Sequence, residues 1–157
     1  MKLQRTFICI AGVFFAVGFT ASQAAAGGLN PGCTDAQGAT MQIEVNALRA
    51  GARTVVTGAN QTTNVTAKAR ILKGTAEPST TIDATLSIEA VTGGQVISTN
   101  SIGPIRLGVG KGGKGAKLPM AVTKCTGGFI EFVATFFGTD AENDSCEGTR
   151  TIRKECR

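Results

Sequence analysis

The segment Ile82–Ala90, with the sequence IDATLSIEA, decides the fold. An apolar side chain stands at every second position, and polar side chains fill the positions between them. A period of two places the apolar set on one side of an extended chain, which is the pattern of a half-buried β-strand. After residue 26, no stretch shows the 3.6-residue period of an amphipathic helix. The segment therefore predicts an all-β protein.

The same alternation recurs on both sides of this segment. Gly93-Gly94 follows it and predicts a hairpin into a strand at Val96-Ile97. Three further segments place their apolar side chains on one face: Met41, Ile43, Val45 and Ala47; Val65, Ala67, Ala69 and Ile71; and Leu118, Met120 and Val122. In the last segment Pro119 falls on the opposite face, which favours an edge strand because proline has no N–H to donate.

Residues 129–137, FIEFVATFF, hold all four phenylalanines found after residue 26. One face carries Ile130, Phe132, Ala134 and Phe136, and the other carries Phe129, Val133 and Phe137. A strand that is apolar on both faces is typically central and covered on both sides, so we expect a core strand here. The alternative is a partly exposed apolar face that is used in assembly.

About seven to nine short strands, separated by Gly, Pro and Asn, predict a single antiparallel β-sandwich. In strand number and order the chain resembles immunoglobulin-like and fibronectin-like domains. The resemblance is confined to the strand pattern, because the sequence has no Trp for the core, no Tyr for a tyrosine corner and no cysteine pair at the usual inter-sheet spacing. It implies a sandwich of this type over residues 41–157.

The N-terminus has the three parts of a secretory signal peptide. Lys2 and Arg5 precede an apolar run over residues 7–19, and small residues follow up to Ala26, with Ala24 as the alternative cleavage position. The run is shorter than the ~20 residues of a membrane-spanning helix. We therefore expect residues 1–26 to be removed, residues 27–40 to form an extended lead-in, and the mature protein to be secreted or periplasmic with no transmembrane segment.

Four cysteines remain after residue 26, and an even number in an exported chain predicts disulfides. Strands at 128–137 and 147–155, folded into a hairpin near residue 142, would bring Cys125 and Cys156 to the same end. Cys146 would lie at the turn, about 33 Å of extended chain from Cys156, which is too far for a disulfide. The predicted pairs are therefore Cys125–Cys156 and, by elimination, Cys33–Cys146.

The residues that are absent exclude several kinds of site. The chain has no His, no Tyr and no Trp. Ser-His-Asp and Cys-His catalysis and imidazole-based metal sites therefore cannot be built. A sugar-stacking platform is also not expected. Removal of residues 1–26 leaves 14 basic and 11 acidic side chains, a net charge of +3, which is too mild to indicate a nucleic-acid partner.

The Lys/Gly-rich stretch 108–117, GVGKGGKGAK, is predicted to be a long flexible loop between strands. Gly108 to Lys114 matches the spacing of a phosphate-binding loop, but Gly115 stands where Ser or Thr is required, and no helix follows. No nucleotide is therefore expected. Lys111, Lys114 and Lys117 recur every three residues and are a candidate contact for a polyanion.

An acidic turn carries Asp140, Glu142 and Asp144 at alternate positions, a weak candidate for calcium. It lacks the Gly and Glu of an EF-hand loop, because Ser145 and Thr151 stand there, so a solvated turn is expected and no metal or cofactor is predicted. N-glycosylation sequons begin at Asn60, Asn64 and Asn143.

Taken together, these features favour a non-catalytic exported β-sandwich that acts as an interaction or structural module. Its partner would be a protein or an anionic component of the cell envelope, and self-assembly is possible. The alternative function is binding of an anionic surface or polymer through residues 108–117. A small secreted hydrolase is a third alternative, which would use a carboxylate pair drawn from Asp83, Glu89, Glu131 and the acidic turn.

Overall fold

The computed structural model describes residues 33–34, 37–51, 61–74, 76, 79–110, 112–139 and 145–156. Within these ranges the regular structure is entirely β, as predicted. The strands are β1 (Cys33–Thr34), β2 (Thr40–Ala50), β3 (Gln61–Lys73), β4 (Thr81–Thr92), β5 (Gln95–Gly108), β6 (Lys114–Val122), β7 (Phe129–Thr139) and β8 (Ser145–Glu155). Residues 1–26, and with them the expected signal peptide, lie outside the described residues.

The strands form two sheets, in the orders β1-β2-β3-β6 and β5-β4-β7-β8. Every pairing between these strands is antiparallel. Hairpins join β2 to β3, β4 to β5 and β7 to β8, and β1 connects to β2 within one sheet. The connections from β3 to β4, from β5 to β6 and from β6 to β7 cross between the sheets. No helix in the described ranges is long and apolar enough to cross a membrane. The arrangement is a β-sandwich-like fold, and β6 is an edge strand as Pro119 predicted.

The core lies between the two sheets and contains the side chains that the alternation predicted to face inward. Five successive inward positions of β4, from Ile82 to Ala90, are buried, and so are four positions of β3, from Val65 to Ile71. Gly93 and Gly94 form the two-residue turn to β5, and both have positive φ (56° and 76°), as a type I′ turn requires.

The hairpin of β7 and β8 has the predicted register. Phe129 pairs with Glu155 and Thr139 with Ser145, so the hairpin is centred on residue 142. Cys125 and Cys156 form a disulfide with their Cα atoms 6.4 Å apart. Cys146, buried at the turn end, is also disulfide-bonded. The side chain of Cys33 lies outside the described residues, so the Cys33–Cys146 pairing stays a prediction.

The prediction that β7 is covered on both faces is wrong. β7 is central, between β4 and β8, and Phe132 and Phe136 are fully buried on its inward face. On the outward face Val133 is half-buried and Phe137 remains 46% exposed. The reason is that nothing in the described chain packs over the outside of this sheet, so the second apolar set faces solvent.

The inward position predicted for Ala47 is also wrong. The register of β2 against β3 shifts between Glu44 and Ala47, which is a β-bulge. The extra residue reverses the alternation, so Leu48 becomes buried and Ala47 lies on the outward side.

The Lys/Gly-rich stretch is not one long loop. β5 extends to Gly108, well beyond the two residues predicted for it, and β6 begins at Lys114. Between them Val109 is buried, and the Gly110 N–H donates to the Ile71 carbonyl at 3.2 Å. The connection is short because the glycines allow backbone pairing, with Gly110 at a φ of 61°.

Side chains tie the edges of the two sheets together. Arg150 of β8 donates to the Val45 and Asn46 carbonyls at the β2 bulge, at 3.3 and 3.0 Å. At the opposite edge, Asn100 of β5 donates to the Pro119 carbonyl of β6 at 2.9 Å. These contacts hold both sheets in one body, and the outward faces of the sheets lie on opposite sides of it.

Candidate anion-binding face

The outward side of the β2-β3-β6 sheet has an excess of positive charge, and we call it the cationic face. Its charged side chains are Glu44, Arg49, Lys68, Arg70 and Lys117. Their placement follows from strand alternation: burial of Val65, Ala67 and Ala69 sends the neighbouring polar side chains of β3 outward. The bulge in β2 has the same effect on Arg49, which would otherwise point inward.

Three of these cations surround one threonine. Thr66 pairs with Arg49 of β2 on one side and with Lys117 of β6 on the other. Lys68 lies two residues further along β3 and therefore on the same face. Because adjacent strands are about 4.8 Å apart, Arg49 and Lys117 flank Thr66 across about 10 Å. An anion above Thr66 would be within reach of all three side chains.

Small neighbours leave the surface open between these cations. Lys68 is paired with Ala47 on one side and with Gly115 on the other. One depression of about 430 Å³ is lined by residues that include Arg49, Thr66 and Lys117, and a second, of about 330 Å³, shares Arg49 and Thr66 and adds Lys68. The two depressions form a shallow groove with a cationic rim.

The charges on this rim are not neutralised within the described chain. Arg70 forms an ion pair with Glu44, with 2.6 Å between Arg70 Nε and Glu44 Oε2. No carboxylate in the described ranges lies within ion-pair distance of Arg49, Lys68 or Lys117. Three cations without an ion-pair partner, next to hydroxyl groups, can bind a sulfate, phosphate or carboxylate group by donating charge-assisted hydrogen bonds to its oxygens.

Of the three lysines predicted to contact a polyanion, one lies on the cationic face. Lys114 and Lys117 lie on β6 three residues apart, so they point to opposite sides of the strand, and only Lys117 belongs to the cationic face. Lys111 lies outside the described residues. Arg49 and Lys68 were missed by the sequence analysis, because the cross-strand register that unites them with Lys117 cannot be read from local spacing.

The remaining sequence candidates lie elsewhere. The calcium candidates Asp140, Glu142 and Asp144 lie outside the described residues, as do the sequon residues Asn60 and Asn143. Asn64 is exposed in β3 at the edge of the first depression. In the described ranges no three His, Cys, Asp or Glu side chains are close enough to hold a metal ion.

The outward side of the β5-β4-β7-β8 sheet has the opposite charge, and we call it the acidic face. Its charged side chains are Asp83, Glu89, Glu131, Glu147, Glu155, Arg106 and Arg153. Arg106 donates to both carboxylate oxygens of Asp83, at 2.9 and 3.0 Å. These hydrogen bonds, and the guanidinium charge, hold the pKa of Asp83 below its ordinary value and raise that of Arg106.

Glu131 and Glu89, two of the carboxylates considered for hydrolysis, are on this open face. Glu131 accepts from Arg153 at 2.8 Å, and the Arg153 guanidinium lies over the Phe129 ring, 3.9 Å from its centroid. Glu89 pairs with Val133 and is therefore a diagonal neighbour of Glu131. The two carboxylates lie on the surface of a sheet, and one of them is already bound to an arginine.

Comparison with known proteins gives no relative: no protein-family model, no curated protein and no solved structure matches this chain. The two charged faces are therefore the features from which a function can be inferred.

Proposed function

We propose that this protein is an exported, non-catalytic β-sandwich that acts as an interaction module and binds anionic partners through its cationic face. The observation that carries the proposal is the set of Arg49, Lys68 and Lys117 around Thr66, with no carboxylate of the described residues within ion-pair distance of them. The proposed anion-binding surface is therefore the outward face of a sheet, instead of the 108–117 stretch as a loop.

Strand order supports an immunoglobulin-like or fibronectin-like type for the sandwich. In a constant-type immunoglobulin domain the first, second, fifth and fourth strands form one sheet, and the third, sixth and seventh form the other. Counting from β2, the order here differs in one respect: the fourth strand, β5, pairs with β4 in the second sheet. The other six strands are divided between the two sheets as in that type, and only the connections into and out of β5 differ.

Export is supported by the N-terminal pattern and by the cysteines. A charged start, a short apolar run and small residues up to Ala26 are typical of a cleaved signal. The Cys125–Cys156 disulfide is the kind of bond that persists in oxidising compartments. Envelope polymers that carry carboxylate, phosphate or sulfate groups would be accessible to the protein there.

The energetics favour a polymer over a single small ion. An exposed ion pair contributes about 0–1 kcal/mol, so three cations in solvent give weak binding to one anionic group. A polymer with repeated charges presents several such groups at high effective concentration and strengthens binding without any new type of contact. Binding of this kind weakens steeply as salt shortens the screening length.

Retention on immobilised heparin over a salt gradient tests the proposal with a matched pair of variants. Lys68→Gln/Lys117→Gln removes two charges from the cationic face. Lys114→Gln/Lys124→Gln removes two exposed lysines that are not on that face. The first variant should elute at lower salt, and the slope of log K against log salt should fall by about two, as for lysine–phosphate contacts.

The control variant should elute with the wild type. If the Lys114/Lys124 variant loses retention and the Lys68/Lys117 variant does not, the binding surface lies at the two ends of β6, and the sheet-face proposal is wrong. Equal elution of all three proteins would show that neither surface binds polyanions.

A further inference from the structure

The two outward faces carry opposite and equal charge. Among the residues that the structure describes, the cationic face has four basic side chains and one acidic side chain, a net +3. Counted in the same way, the acidic face has five acidic and two basic side chains, a net −3. Since the faces are on opposite sides of one sandwich, each molecule is electrostatically complementary to a second copy stacked upon it.

The shapes of the faces also differ in a complementary way. The cationic face contains the groove along Thr66. The acidic face presents Phe137, 46% exposed, in a row with Thr85 on β4 and Glu147 on β8. Half-buried Val133 lies on the same strand face and continues the apolar surface. A carboxylate beside an exposed aromatic ring suits a shallow groove with a cationic rim.

We propose that the acidic face of one copy docks on the cationic face of the next, so that copies stack head to tail. This inference rests on the proposed function, because it names the anionic partner of the cationic face as a second copy of this chain. The contact joins two different patches, so it is heterologous and leaves one face of each type free at the ends of the stack. Further copies can then add at both ends.

A second copy fits the observations better than a polyanion alone. A polyanion would neutralise the cationic face and leave Phe137 and the excess carboxylates of the acidic face exposed, whereas a stack covers both faces. Three strands of about ten residues present about 500 Å² per partner, which is at the low end for specific interfaces. We therefore expect weak, reversible stacking that depends on protein concentration and on salt.

Sedimentation velocity over a range of concentrations tests this with the mature protein. At about 0.01 M salt, where the screening length is about 30 Å, the weight-average sedimentation coefficient should rise with concentration. At about 1 M salt, where the screening length is about 3 Å, it should fall back to the monomer value. A wild type that stays monomeric at both salt concentrations overturns the proposal.

Two charge-reversed variants test which faces meet. Lys68→Glu/Lys117→Glu makes the cationic face acidic, and Glu89→Lys/Glu155→Lys makes the acidic face basic; circular dichroism checks that both remain folded. Each variant alone should be monomeric, because its two faces then have charges of the same sign. Mixed together, they should form complexes, because the intact acidic face of the first meets the intact cationic face of the second.

If the mixture stays monomeric, or if either variant still self-associates like the wild type, the stacking proposal is wrong. The heparin measurement separates this from the proposed function. If Lys68→Glu/Lys117→Glu loses heparin retention while the wild type stays monomeric, the cationic face binds polyanions but does not bind a second copy. Unchanged retention would remove the proposed function as well.

Discussion

Two phenylalanines of β7, five residues apart, have opposite surroundings. Phe132 is fully buried at the centre of the core, and Phe137 is 46% exposed on the acidic face. Phe132→Ala should therefore lower the free energy of unfolding by about 3–5 kcal/mol, through lost burial and the cavity left behind. Phe137→Ala should cost only about 1 kcal/mol, since it removes partial burial and leaves no internal cavity. Urea unfolding of both variants measures this, and equal losses would contradict the assignment of faces.

The Asp83–Arg106 pair makes stability depend on pH in the acid range. Because the pKa of Asp83 is lower in the folded state, mainly through the hydrogen bonds from Arg106, the pair stabilises the fold above the unfolded-state pKa. That contribution is lost as pH falls through the folded-state pKa. At neutral pH, wild type should be more stable than Asp83→Asn, and the difference should vanish in acid.

The measurement for this pair is the urea midpoint between about pH 7 and about pH 2. Glu89→Gln removes one charge from the same strand face without breaking an arginine bond, and so controls for the change in net charge. A difference between wild type and Asp83→Asn that persists undiminished at the lowest pH would contradict the assigned role of the ion pair.

At the scale of the strand, the close approach of β2 and β8 depends on the absence of a side chain at Gly148. A Cβ at Gly148 would collide with the Ile43 carbonyl and side chain across the two sheets. Gly148→Ala should therefore force the two strands apart and cost about 1–3 kcal/mol. Gly112, where a Cβ would meet nothing within 4 Å, is the matched control.

Thermal unfolding of both glycine variants gives the comparison. Gly112→Ala should leave stability unchanged or raise it by about 0.4–1 kcal/mol, because alanine restricts the unfolded chain. If Gly148→Ala is as stable as Gly112→Ala, β2 and β8 are not in the close contact that the Arg150 hydrogen bonds also indicate.

A strand can be predicted from the sequence where burial of one face leaves an alternating pattern in the strand's own residues. β3, β4 and β7 were predictable because burial of one face imposes a period of two on the sequence itself. β5 was predicted for only two residues because much of it is an exposed edge strand without a buried alternation, so its extent is set by pairing with β4. The cationic face could not be predicted for the same reason, because it also depends on pairing between strands. A bulge in β2 turns Arg49 outward, and the register of β3 with its two neighbours places Arg49 and Lys117 on either side of Thr66.

At the scale of the whole molecule, the described strands of the two sheets place a net +3 and a net −3 on opposite sides of a small body. The net charge of the sequence, which is all that composition provides, conceals this separation. Charge summed over a sequence is a statement about solubility and non-specific attraction, whereas charge assigned to faces specifies a direction of approach. The fold therefore indicates binding in a defined orientation, with one face toward an anionic partner, whereas the net charge alone indicates only a general affinity for anions.

The last prediction concerns the mature chain and its covalent links. Removal of residues 1–26 would leave four cysteines, of which Cys125 and Cys156 are paired and Cys146 is disulfide-bonded. Only Cys33 would then remain as the partner of Cys146. β1 pairs with β2, and β2 is held against β8 by Arg150, so such a bond would join the edges of the two sheets.

Sequencing of the secreted protein from its N-terminus should begin after Ala26, or after Ala24 if the alternative position is used. A non-reducing peptide map of the same material should contain one linked pair with Cys33 and Cys146, and no free thiol. Spanning more than 100 residues, this link should contribute about 4–5 kcal/mol in the chain-entropy model, so Cys33→Ser/Cys146→Ser should unfold at a clearly lower temperature. An intact Met1 in the exported protein, with Cys9 bound to Cys146, would show that the apolar N-terminal segment is retained.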